Sequence, residues 1–256
     1  MNKCPWTVRD VVVVFIYALA LFFVFCFWLT FGYFLLAYFS GAQRQSLSIF
    51  AGFLARSREI YLVILFYCSL LIAMKFKIFD KYRIRLPDYF VRRGNVRQDI
   101  LYGMKSYLRF ISVFLSAVIL IILAAKVWDM VFGGALYGSL SRFFTASEAE
   151  NAVFQDRRIG GSAFLVIFML GPFLEELFFR GCLYSALRGR MNFVPAMLIS
   201  SFIFALLHGY FFLFFYVFLV GLSLARLYEK TQALVAPLSF HMLNNLVVLA
   251  LFATGF

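Results

Sequence analysis

The chain has 256 residues, of which 64% are hydrophobic and 14% charged, and its mean hydropathy is +0.91. Soluble domains lie near about 45–50% apolar and about 25% charged, so this composition excludes one and implies an all-α, polytopic transmembrane helical bundle of about seven spans, with six to eight as the limits. The net charge of +12 does not point to nucleic acid, because Lys and Arg crowd into the segments between apolar runs and no recognition motif accompanies them.

Taken in order, Lys3 and Arg9 precede an apolar run from Val11 to about Phe39. That is far longer than the core of a cleavable signal, about 7–15 residues, so it is expected to stay as the first span. Ser40 to Glu59 read as a polar connection and Tyr61 to Met74 as the next run. From Lys75 to Arg109 the chain is at its most basic, with Tyr82, Tyr89, Phe90, Tyr102 and Tyr107 interleaved, which suits a loop at an anionic headgroup interface. Phe110 to Ala125 is the third run, and Asp129 to Gly161 reads as a loop whose charges nearly cancel. Four further runs start near Ser162, Phe193, Phe211 and Leu234. The Lys and Arg bias places the basic 75–109 segment, and with it the N-terminus, on the cytoplasmic side of a multi-pass protein in the cell membrane. A division follows into N-terminal helices, 1–160, and chemistry-bearing helices, 161–256. The four cysteines, Cys4, Cys26, Cys68 and Cys182, have no C-x-x-C spacing and mark neither a zinc site nor a disulfide framework.

Ionisable groups at bilayer depth cost at least about 2.5–3.5 kcal/mol each, so they persist where they pair or do chemistry. Glu175, Glu176 and Arg180 stand in such a place, inside the fourth run. On a helix Glu176 and Arg180 are i and i+4 and share a face, whereas Glu175 points away and is left to act on something else. The chain's two histidines, His208 and His241, also fall inside apolar runs. Phe204 with His208, and His241 with Asn245, are again i, i+4 pairs, so Glu175, His208, His241 and Asn245 can converge from three helices. Pro172 and Pro237 lie just before Glu175 and His241 and are expected to loosen the helix beside each. A buried Glu is a competent general base for water, a histidine can hold that water, and His and Asn donors aimed at one point make an oxyanion hole. The competing assignment is zinc on Glu175, His208 and His241, although no H-E-x-x-H is present. A serine nucleophile is disfavoured, since Ser200, Ser201 and Ser239 lack a G-x-S-x-G setting.

These motifs resemble those of the CPBP family of intramembrane proteases, the CAAX-processing prenyl-protein endopeptidases and their bacterial relatives, also called the Abi family. The family's E-E-x-x-x-R matches Glu175, Glu176 and Arg180, its F-x-x-x-H matches Phe204 and His208, and its H-x-x-x-N matches His241 and Asn245. The stretch from Gly221 through Tyr228, Thr231 and Pro237 to His241 is also similar, with Ala225 and Gln232-Ala233 replacing a frequent glycine and a common Gly-Ser. The resemblance implies that Glu175 and His208 activate water and that His241 and Asn245 stabilise the oxyanion. Glu176 with Arg180 would order the site, and no cofactor would be needed, zinc being the alternative. The partners it implies are membrane lipid and a membrane-associated peptide or protein substrate; the short N-terminal half and the absence of organelle signals favour a prokaryotic plasma membrane over the endoplasmic reticulum. A non-catalytic binding protein of the bacteriocin-immunity type that keeps the motifs is the reading from a different class.

Overall fold

Helix is the only regular secondary structure among the described residues of the computed structural model, which are 4–39, 61–85, 95–145, 166–209 and 213–253. In chain order the helices are α1 (Val8–Phe39), α2 (Tyr61–Phe79), α3 (Val96–Phe132) and α4 (Leu136–Thr145), followed by α5 (166–188), α6 (Phe193–Leu207), α7 (Phe214–Thr231) and α8 (Val235–Ala253). Three stretches, Val8–Gly32, Tyr61–Phe79 and Val96–Phe132, are long and apolar enough to cross a bilayer, and Phe193–Leu207 and Val235–Leu251 are shorter apolar helices. Val113, Leu120, Phe132, Phe202 and Phe215 stand exposed on their outer faces. Only a hydrocarbon solvent accommodates so much outward apolar surface on helices whose backbone bonds are satisfied internally. The bundle expected from composition is the fold found.

The expected loops are shorter than read. Lys75–Phe79 continues α2 as a π-helical turn, and α3 begins at Val96, so most of the basic segment outside 86–94 is helical. The physical reason is that α3 has 37 residues and is about 55 Å long at 1.5 Å per residue, against a hydrocarbon core of about 30 Å. Its ends must leave the core, and there Arg97, Asp99 and Lys105 ride on helix without cost. Asn95 starts α3 by accepting from the Arg97 amide at 3.1 Å, and Gly133, at φ 64°, ends it. The expected 129–161 loop holds α4, whose first amides, Leu136 and Tyr137, donate to the Asp129 carboxylate at 2.7 and 2.8 Å. Pro237 lies in the first turn of α8, where a missing N–H is no loss, so it does not loosen the helix at His241. The connection 40–59 and residues 146–161 of the expected loop lie outside the described residues.

Two glycines set the spacing of the helices around the site. A Cβ on Gly103 of α3 would fall 2.2 Å from both the Ala236 carbonyl oxygen and Ser239 Oγ of α8. One turn on, Tyr107 meets Phe240 edge to face at 5.2 Å. A Cβ on Gly221 of α7 would fall 3.0 Å from Ser201 Cβ of α6, so α6 and α7 are in near-backbone contact behind Phe204. The N-terminus is tied to the same core. Trp6 donates its indole N–H to the Cys182 carbonyl at 3.0 Å, and Asp10 accepts from Lys81 at 2.6 Å and Tyr82 at 2.9 Å. All four cysteines are free thiols, and burial pushes the Cys4 thiol up to about 11.

Candidate active site

α5 alternates between two helical geometries. π-helical turns at Val166–Leu170 and Leu177–Tyr184 bracket the α-helical Gly171–Glu176. Pro172 has no N–H to continue the ladder, and wide turns beside a proline are a common way for a helix to absorb that loss. The result carries Glu175, Glu176 and Arg180 into the bundle from consecutive turns.

Arg180 Nη1 donates to Glu176 Oε1 at 2.8 Å, with the side chains 2% and 0% exposed, so this ion pair is wholly withdrawn from solvent. The guanidinium also donates from Nη2 to the Gly221 carbonyl at 3.3 Å and lies over the Phe204 ring at 4.4 Å. One group on α5 thus holds α6 and α7. Glu176 Oε1 accepts a second bond, from His241 Nδ1 on α8 at 2.8 Å. Because that oxygen belongs to a carboxylate, Nδ1 carries the hydrogen, and His241 presents Nε2 to the opposite side. His208 is fixed in the same sense, its Nδ1 donating to the Phe204 carbonyl at 2.7 Å while its ring rests on Phe204 at 4.3 Å.

Both Nε2 atoms point at one oxygen. Glu175 Oε2 is 3.7 Å from His208 Nε2 and 3.7 Å from His241 Nε2. Those distances are too long for direct hydrogen bonds. Glu175 Oε1 is occupied elsewhere, accepting from the Tyr67 hydroxyl of α2. His208 and Glu175 keep 24% and 17% of their side-chain surface and His241 only 4%, so the cluster opens along α6 and is closed at α8. Asn245 lies one turn after His241, and its Oδ1 accepts from Asn244 Nδ2 at 3.3 Å, which turns its own amide nitrogen away from Asn244. Asn244 in turn accepts from the Tyr216 hydroxyl of α7 at 2.6 Å. Among the described residues no set of three or more His, Cys, Asp or Glu side chains is arranged to hold a metal ion.

Glu175, Glu176, Arg180, Phe204, His208 and His241 are therefore in mutual contact, with Asn245 on the adjoining turn. Two features escape sequence reasoning. Glu176 orients His241 as well as pairing with Arg180, and Tyr67 reaches Glu175 from 108 residues away. The signal for Tyr67 was slight: a tyrosine near the middle of an apolar run, away from the interfacial belt where tyrosines usually sit.

Residues 161–247 match the family described as type II CAAX prenyl endopeptidase Rce1-like. YdiL of Bacillus subtilis (strain 168), a protein assigned by name to the membrane peptidases, is 34% identical over 84 residues, 33% of this chain and 34% of its own. The membrane-embedded CAAX protease MroQ of Staphylococcus aureus (strain USA300) is 37% identical over 83 residues, 30% of this chain and 34% of its own. The chain thus covers about a third of the length of each of these relatives. No solved structure matches it significantly. The family match and the three motifs fall on the same stretch.

Proposed function

We propose that the Rce1-like residues 161–247, completed by the helices before them, form an intramembrane endopeptidase that hydrolyses a peptide bond of a membrane-associated protein or peptide. The observation that carries this is the Glu175 carboxylate oxygen standing 3.7 Å from two imidazole nitrogens. A water about 2.8 Å from each neighbour bridges a gap of that size. Held between Glu175 Oε2 and His208 Nε2, it gives one proton to Glu175 as its oxygen adds to the scissile carbonyl carbon. The C–N bond of the tetrahedral intermediate then breaks, and the leaving amine takes the proton back from Glu175.

The developing oxyanion needs donors. Asn245 Nδ2 is one and His241 is the other. Because His241 Nδ1–H is committed to Glu176, Nε2 donates only from the imidazolium. Glu176 and Arg180 act as supports, holding His241 and Phe204. Zinc on Glu175, His208 and His241 is the alternative reading, and no step here is routed through a metal.

The names of the relatives suggest the substrate class: a C-terminal CAAX sequence, prenylated or not, presented at the membrane. The Lys and Arg pattern suggests a cytoplasmic N-terminus in a cell membrane. The test is cleavage of a farnesylated CAAX peptide and its unprenylated counterpart by the full chain in proteoliposomes. Release of the C-terminal fragment by wild type and not by Glu175→Gln is the expected result. Equal release by both would remove Glu175 from the reaction, and fragment-free binding would favour the non-catalytic reading.

A further inference from the structure

Tyr67 lies on α2, in the part of the chain that the family match leaves out. Its hydroxyl donates to Glu175 Oε1, while Oε2 of the same carboxylate faces both imidazoles. The two oxygens of one group therefore have separate neighbours. Nothing intrinsic to a glutamate chooses that arrangement, because its terminal torsion is broad and two-fold. A carboxylate with neither oxygen tethered would also close the 3.7 Å gap and bond directly to an imidazolium, displacing any water between them.

The mount of the phenol is rigid. Phe66, the neighbour of Tyr67, meets Phe22 of α1 edge to face at 6.1 Å. Further along α2 the fully buried Met74 touches Cys182 Sγ of α5 at 4.0 Å, and Ile78 is fully buried as well. α2 is thus packed against both α1 and the helix that carries Glu175.

We infer that Tyr67 is the positioning residue for Glu175: by holding Oε1 it aims Oε2 at the imidazoles and keeps it 3.7 Å from each, beyond a direct hydrogen bond and within bridging reach of one water. This rests on the hydrolytic reading of the site. It also means that the N-terminal helices build part of the site, so residues 161–247 alone do not complete it.

The experiment uses the full chain in proteoliposomes as wild type, Tyr67→Phe, Glu175→Gln and the double variant. Phenylalanine keeps the ring, and an unchanged helical circular dichroism spectrum with a single cooperative thermal transition for Tyr67→Phe verifies that the fold is kept. With carbon-13 glutamate in the protein, the infrared difference between wild type and Tyr67→Phe is expected to show a carboxylate-stretch band that vanishes in the Glu175→Gln background. Against the farnesylated CAAX peptide, Tyr67→Phe is expected to lose about 10–100-fold in kcat with KM within about twofold, as for removal of a supporting partner. The absence of a Glu175-dependent carboxylate band from the difference spectrum, an unchanged kcat, or a loss carried by KM would each overturn the assignment. If wild type cleaves no peptide, the hydrolytic reading fails, and the infrared band alone still decides whether Tyr67 holds Glu175.

Discussion

Replacing Glu176 and Arg180 singly and together separates a structural ion pair from a catalytic support. Their side chains are 0% and 2% exposed and 2.8 Å apart. Glu176→Leu leaves a guanidinium enclosed with one carbonyl and the Phe204 and Phe179 rings, and Arg180→Met leaves a carboxylate with only the His241 N–H. Breaking a buried pair from one side costs about 3–5 kcal/mol, so independent effects would sum to about 6–10 kcal/mol. The double variant has no unpaired charge. What it still loses is the partner of His241 Nδ1 and the donor to the Gly221 carbonyl, about 1–3 kcal/mol for each group left unsatisfied. The expected loss for the double variant is therefore about 2–6 kcal/mol, and the coupling is several kcal/mol. Reversible unfolding in detergent, followed for the four proteins, measures it. Activity should not return with stability, because His241 remains without its carboxylate. Strictly additive losses, or an active double variant, would refute the reasoning.

Other expectations follow from the same contacts. Gly221→Ala places a methyl 3.0 Å from Ser201 Cβ and 3.3 Å from Phe204 Cδ1, so it should cost about 1–3 kcal/mol by overpacking and lower kcat by moving the helix that carries His208. An unchanged melting temperature would contradict this. Peptide cleavage is expected to survive exhaustive chelation, since His241 and Asn245 supply the oxyanion donors; loss of activity on stripping, restored by stoichiometric zinc, would show the zinc assignment to be the right one. For topology, in a cysteine-free background Tyr89→Cys should resist a membrane-impermeant thiol reagent added from outside and Ser147→Cys should react. The reverse labelling pattern would invert the orientation.

The part of the site legible in sequence was the part written in single helical turns. The i, i+4 rule paired Glu176 with Arg180, and the rarity of ionisable groups in apolar runs singled out Glu175, His208 and His241. Contacts across helices were not legible, because no local period links Tyr67 to Glu175 or Glu176 to His241. Helix ends were missed for a different reason. Hydropathy registers only the lipid-immersed middle of α3, and its charged first turns at Arg97 and Asp99 look like a loop, although Asn95 caps them. Gln232 shows a departure from the family pattern with a visible compensation. It ends α7 at φ 53°, where a glycine is unstrained, and its side-chain amide donates to the Glu229 carbonyl at 2.7 Å. Gly103 carried no signal at all, since its need for a bare Cα comes from α8, more than 130 residues further along the chain.

The central claim is that Glu175 delivers water to a peptide carbonyl. Cleavage of the farnesylated CAAX peptide in oxygen-18 water, read by mass spectrometry of both fragments, tests it most directly. The account predicts one heavy oxygen in the new carboxyl terminus of the N-terminal fragment, none in the released C-terminal fragment, and no cleavage by a folded Glu175→Gln variant. Heavy-oxygen incorporation at an undiminished rate in Glu175→Gln would contradict it.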